Sequence, residues 1–92
     1  MIHYVCILRH GNEEDAYAAF PVIFDRQGNY TCYAHIGQHS SVSLEYIKES
    51  HDATDNDLLN EIKSIYETDD DKVFVLNKEH LITEIECQAR GV

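Results

Sequence analysis

The densest chemistry in the chain lies between residues 32 and 41, which read Cys32-Tyr33-Ala34-His35-Ile36-Gly37-Gln38-His39-Ser40-Ser41. That segment holds a thiol, two imidazoles, a phenol, an amide and two hydroxyls. Cys32, His35 and His39 are spaced C-x2-H-x3-H, and thiolate and imidazole are the ligands zinc prefers. Cys6 or His10 would complete a tetrahedral set. The chain has no CxxC pair and no HExxH helix to reinforce a metal reading. If residues 30 to 36 form a strand, alternation sends Cys32 and His35 to opposite faces, away from a shared ion. No cofactor is expected.

The same alternation separates a Cys32 nucleophile from a His35 base, which must lie within hydrogen-bond reach to activate a thiol. The chain carries no GxSxG elbow, Walker loop or Rossmann glycine pattern. These absences argue against an enzyme, and a small enzyme built on this segment stands as an alternative only. A third reading is a polar recognition surface. Tyr33 and His35 would sit side by side on one strand face. Gln38, His39 and Ser40 would follow at the strand end, before a helix N-terminus whose donors bind anions or backbone. In the plainer version His39 and Ser40 only tie down the loop, and Cys32 is a small core hydrophobe.

The elements that must position these residues follow from periodicity. Ile2 to Arg9 is almost continuously apolar. Ile2, Tyr4, Cys6 and Leu8 lie on one face and Val5 and Ile7 on the other, as in a central strand or one covered on both sides. Ala16 to Phe24 reads as a second strand, with Pro21 marking an edge or a bulge. Asp25-Arg26-Gln27-Gly28-Asn29 is a hairpin signal in which Gly28 supplies a positive φ. Tyr30 to Ile36 returns with clean alternation, and Gly37 to Ser41 breaks it.

Ser43 caps a short helix from Leu44 to about Ser50. Thr54 and Asp57 resemble a capping box opening a helix from Asp55 to Glu67, where Leu58, Leu59, Ile62, Ile65 and Tyr66 form one apolar stripe. Lys72 to Asn77 and Leu81 to Cys87 complete the pattern as two further strands. The order is β-β-β-α-α-β-β, an α+β domain with a mostly antiparallel sheet of about five strands and helices packed on one face.

The chain is 92 residues long, with 17 Asp and Glu against seven Lys and Arg and a net charge of -10. It is one domain, residues 1 to 92, with a thin core. No two basic residues lie closer than six positions, so the stripe that displaces counterions from phosphate is missing. Nucleic acid and anionic membrane are therefore not expected partners, and no apolar run approaches a membrane span. Three cysteines, an odd number, point to free thiols in a reducing cytoplasm rather than a disulfide framework. Residues 45 to 71 hold ten acids and two lysines, a segment charge of -8. That is either a solvated helical face or a surface, ending in Asp69, Asp70 and Asp71, that docks a basic protein.

The core segment also carries a resemblance. CYAHxGQHS at 32–40, then Leu44-Glu45-Tyr46 and Ala53-Thr54 leading a helix, resembles a family of small uncharacterised proteins of bacteriophages and mobile elements. The resemblance covers residues 16 to 66. The chain departs from the pattern after Tyr66, where Glu67 to Asp71 replaces a short turn and the last strand is an extension. The resemblance carries no activity. It implies a phage or prophage setting, hence a bacterial host cytoplasm, and marks Tyr33, His35, Gly37, Gln38, His39 and Ser40. The expectation is a small acidic, non-catalytic binding protein that modulates a host or phage protein, with a homodimer possible. The alternative is a metal-binding module using Cys32, His35 and His39.

Overall fold

In the computed structural model, residues 1–11, 15–34 and 38–89 are described. The elements are β1 (Ile2–His10), β2 (Tyr17–Ile23), β3 (Tyr30–Ala34), β4 (Gln38–Val42), α1 (Leu44–Glu49), β5 (Ser50–Asp52), α2 (Asn56–Tyr66), β6 (Lys72–Val75) and α3 (Lys78–Ala89). The sheet runs β4-β3-β2-β1-β5, with β6 also paired to β1. All pairings are antiparallel except that of β6, which lies parallel to β1 from Ile2↔Lys72 to Val5↔Val75. The α+β class and the largely antiparallel sheet match the sequence reading.

β1 is the hub. On one side it pairs with β2, Cys6 opposite Ala19. On the other, the Val5 carbonyl accepts from Leu76 N at 2.7 Å and the Ile7 carbonyl from Ala53 N at 3.1 Å. Carbonyls two residues apart point the same way. The β6 and β5 segments therefore share one edge of β1 end to end.

Both faces of the sheet are covered. Cys6, Leu8, Ala19, Tyr30, Cys32 and Val42 pack with Ile47 of α1 and Leu81 and Ile85 of α3. Val5, Ile7, Ala18, Phe20 and Tyr33 pack with Leu58 and Ile62 of α2 on the opposite face. The expectation of helices on one face is corrected. The doubly apolar β1 requires a cover on each side, and burying one Leu or Ile contributes about 1.5–3 kcal/mol.

A second correction concerns the end of the chain. The strand expected from Leu81 to Cys87 is a helix. Asn77 Oδ1 accepts from the His80 amide at 2.8 Å, capping it, and Leu81 and Ile85, one turn apart, fill the core. A third concerns residues 38–41, which the sequence reads as part of a break after the strand and which instead form a strand paired with β3, Thr31 opposite Ser41 and Tyr33 opposite His39.

The local signals hold elsewhere. Gly28 has φ +81, and the Asp25 carboxylate gathers the amides of Gln27 and Asn29. The register between β2 and β3 shifts between Ala19 and Ile23, around Pro21. Ser43 caps α1 by accepting from Tyr46 N at 3.1 Å. The cap of α2 is Asp55, accepting from Leu58 N at 3.0 Å, rather than Thr54.

Candidate functional site

The five candidate binding residues do not form one surface. His35, like Gly37, lies outside the described residues, as does the side chain of Gln38. The remaining three are split by the pairing of β3 with β4. Cross-strand partners share a face, so Tyr33 and His39 point to the α2 side, and Cys32 and Ser40 point to the α1 and α3 side.

On the α2 side, Tyr33 is 1% exposed and packs in the core. Its hydroxyl donates to the Glu61 carboxylate of α2. The His39 ring meets the Tyr33 ring edge-on, centroids 5.0 Å apart. His39 Nε2 lies 2.5 Å from the Tyr66 hydroxyl. The Tyr66 ring packs on His3 at 5.1 Å and on Phe20 at 5.3 Å. Burial raises the Tyr66 phenol above its ordinary value. Tyr66 is legible as the last member of the Leu58, Leu59, Ile62, Ile65 and Tyr66 stripe, of which Ile65 turns out exposed. No spacing in the sequence announces its meeting with His39 and His3.

On the other side, Cys32 Sγ lies 3.2 Å from Ser40 Oγ. These two, with Asp15, Tyr17, Val42, Ser43 and Tyr46, line a hollow of about 380 Å³. Tyr17 bonds Ser50 Oγ at 2.7 Å, and Ser50 donates on to the Tyr46 carbonyl at 2.8 Å. Burial pushes the Tyr17 phenol up to about 12, against the opposing pull of the Ser50 bond. His10 stacks flat on Tyr46 at 3.9 Å and reaches Glu49 at 3.1 Å. Cys6, further along the same face, is also pushed up to about 12, by burial first and then by the Asp52 carboxylate. It is a buried thiol, not a nucleophile.

The placement bears directly on the metal alternative. Cys32 and His39 lie on opposite faces of the sheet, so a single ion cannot take both. Among the described residues, no group of three or more His, Cys, Asp and Glu side chains is placed to hold a metal.

The acidic turn is also differentiated. Thr68 Oγ1 accepts from the amides of Asp70 and Asp71, folding the turn. Asp71 is half-buried, 3.9 Å from His3 Nε2, whereas Asp69 and Asp70 are exposed. The turn leads into β6, whose Lys72 pairs with Ile2. Beside it lies an uncovered end of the sheet. Ile2, Tyr4, Ile23 and Phe74 are 53%, 38%, 61% and 56% exposed. Tyr4 and Phe74 are paired and touch edge-on at 5.9 Å. Ile23 pairs with Tyr30, on the same face as Cys6 and Leu8. Alternation puts Ile2 and Tyr4 there too. This strip was missed from sequence because its residues read as ordinary strand interior.

Among the described residues, no helix is long and apolar enough to cross a membrane. Set against known protein families, curated proteins and solved structures, the chain matches none of them.

Proposed function

We propose that this chain is a small acidic, non-catalytic binding protein of phage or mobile-element origin that modulates a host or phage protein in the bacterial cytoplasm. One observation carries the binding reading: the exposed apolar strip of Ile2, Tyr4, Ile23 and Phe74, bordered by the acidic turn of Asp69 and Asp70. An apolar centre with a charged rim is the anatomy of a protein interface. The rim selects a basic partner and speeds its approach. The non-catalytic reading rests on the sequence, which carries no nucleophile elbow, Walker loop or Rossmann glycine pattern. The phage setting rests on the resemblance of residues 16 to 66.

The test is capture from bacterial lysate with two baits, the natural chain and an Ile23→Ser/Phe74→Ser variant. A partner held by the first and lost by the second supports the reading. Equal capture by both baits, or an association rate indifferent to salt, overturns it.

A further inference from the structure

We infer that a second copy of this chain pairs along the outer edge of β4, antiparallel about a twofold axis, joining two six-stranded sheets into one. Two independent observations meet at that edge.

The first is topological. β4 is the last strand of its side of the sheet, and among the described residues nothing pairs with its outer edge. A free edge is a template for another strand unless charge, proline, a bulge or shortness blunts it. The opposite edge of this sheet is blunted. It is broken into β5 and β6, of three and four residues, which carry Asp52 and Lys72 and run in opposite directions beside β1. β4 has none of these devices. It is five residues long, Gln38-His39-Ser40-Ser41-Val42, without charge or proline.

The second is electrostatic and decides the occupant. In a chain in which 26% of residues are charged, no Asp, Glu, Lys or Arg occurs from Gln27 to Leu44. That stretch contains β3 and β4 whole, and begins inside the turn before them, after Asp25 and Arg26. Two copies each carrying -10 repel when they meet through most of their surfaces. Along β4 they meet without opposing carboxylates. A basic partner, by contrast, finds no counter-charge there and is directed to the acidic turn. An isologous contact places the same patch on both subunits, and the neutral edge satisfies that self-complementarity. The hollow lined by Tyr17, Ser43 and Tyr46 opens alongside Ser40 and Val42, with Asp15 as the one carboxylate on its wall.

The experiment is sedimentation equilibrium of the full chain, untagged, from about 1 µM to about 200 µM, bracketing a micromolar dissociation constant. The expected result is a dimer that Ser41→Lys weakens by roughly tenfold or more, since each copy then brings a charge to a neutral seam. Ser41 is exposed, and Ser41→Thr, which keeps a neutral strand former, retains the dimer. Amide exchange across residues 38–42 of the natural chain slows as concentration rises, and this readout stands if the lysine variant fails to fold. A monomer at every concentration, a dimer equally tight with Ser41→Lys, or exchange at 38–42 independent of concentration overturns the inference. No foreign partner enters the measurement, so its outcome is separate from that of the lysate capture.

Discussion

His39 and Tyr66, 27 positions apart, bond at 2.5 Å between Nε2 and the phenol oxygen, tying the edge strand β4 to the last turn of α2. The bond sits where an exposed imidazole meets a half-buried ring, so its net value is that of an ordinary hydrogen bond, about 0.5–1.5 kcal/mol. A double-mutant cycle of His39→Ala and Tyr66→Phe, read in urea melts, should return a coupling energy of roughly that size. Strict additivity of the two changes would mean that the contact contributes nothing.

The helix at the end of the chain is the largest departure from the sequence reading, and its cap tests it. Asn77→Ala removes the acceptor for the His80 amide and should cost about 0.5–2 kcal/mol. Leu81→Ala, at a fully buried position, should cost about 2–5 kcal/mol. A strand over 81–87 has no use for a cap, so a neutral Asn77→Ala variant would contradict the helix.

Stability should fall on the alkaline side. The Cys6 thiol is held protonated up to about 12 from an ordinary 9.0, and the Tyr17 phenol up to about 12 from 10.0. The unfolded chain releases these protons first, so from pH 9 upward it binds fewer than the folded one, and unfolding is favoured as pH rises. The stabilisation is complete below pH 9 and is lost progressively towards 12. Urea midpoints measured from pH 8 to 11 should decline above 9, and less steeply in Tyr17→Phe. A level midpoint over that range would contradict the burial of both groups.

The three cysteines should separate by reactivity. Cys87 is exposed on α3, while Cys6 and Cys32 are buried. A thiol reagent at pH 8 should label one equivalent promptly and two more only on unfolding, because attack requires an accessible thiolate. Prompt labelling lost in Cys87→Ser confirms the assignment. Three fast equivalents in the folded protein would mean that the sheet face around Cys32 is open.

What sequence reasoning reached and what it missed divide along a physical line. Features set by a few neighbouring residues were legible: the Asp25 to Asn29 turn, the bulge at Pro21, and the cap at Ser43. The apolar groups on both sides of Ile2 to Leu8 point to a central strand or one covered on both sides, while the element pattern alone puts the helices on one face. Leu81 to Cys87 misled because Ile82, Thr83 and Ile85 favour strands, and only packing of Leu81 and Ile85 against Cys6 and Leu8 reveals the helical period. Residues 38–41 hid their strand because alternation is invisible without apolar members. That hidden strand is why the candidate site came apart. A loop would let His39 and Ser40 act together, whereas a strand sends them to opposite faces.

The shared edge of β1 has a further consequence, for how the domain is made. The pairs Ile2↔Lys72 and Val5↔Val75 close a loop of about three quarters of the chain, and the ordering entropy of that loop must be spent before the contact returns anything. β2 to β5 can assemble against the second half of β1 as they leave the ribosome. The first half waits with its outer edge open until β6 has emerged, and α3 follows to cover the face where Cys6 and Leu8 lie. A nascent chain stalled before residue 76 therefore presents the first half of β1 with that edge open, the kind of apolar segment that chaperones hold and that aggregates when nothing holds it.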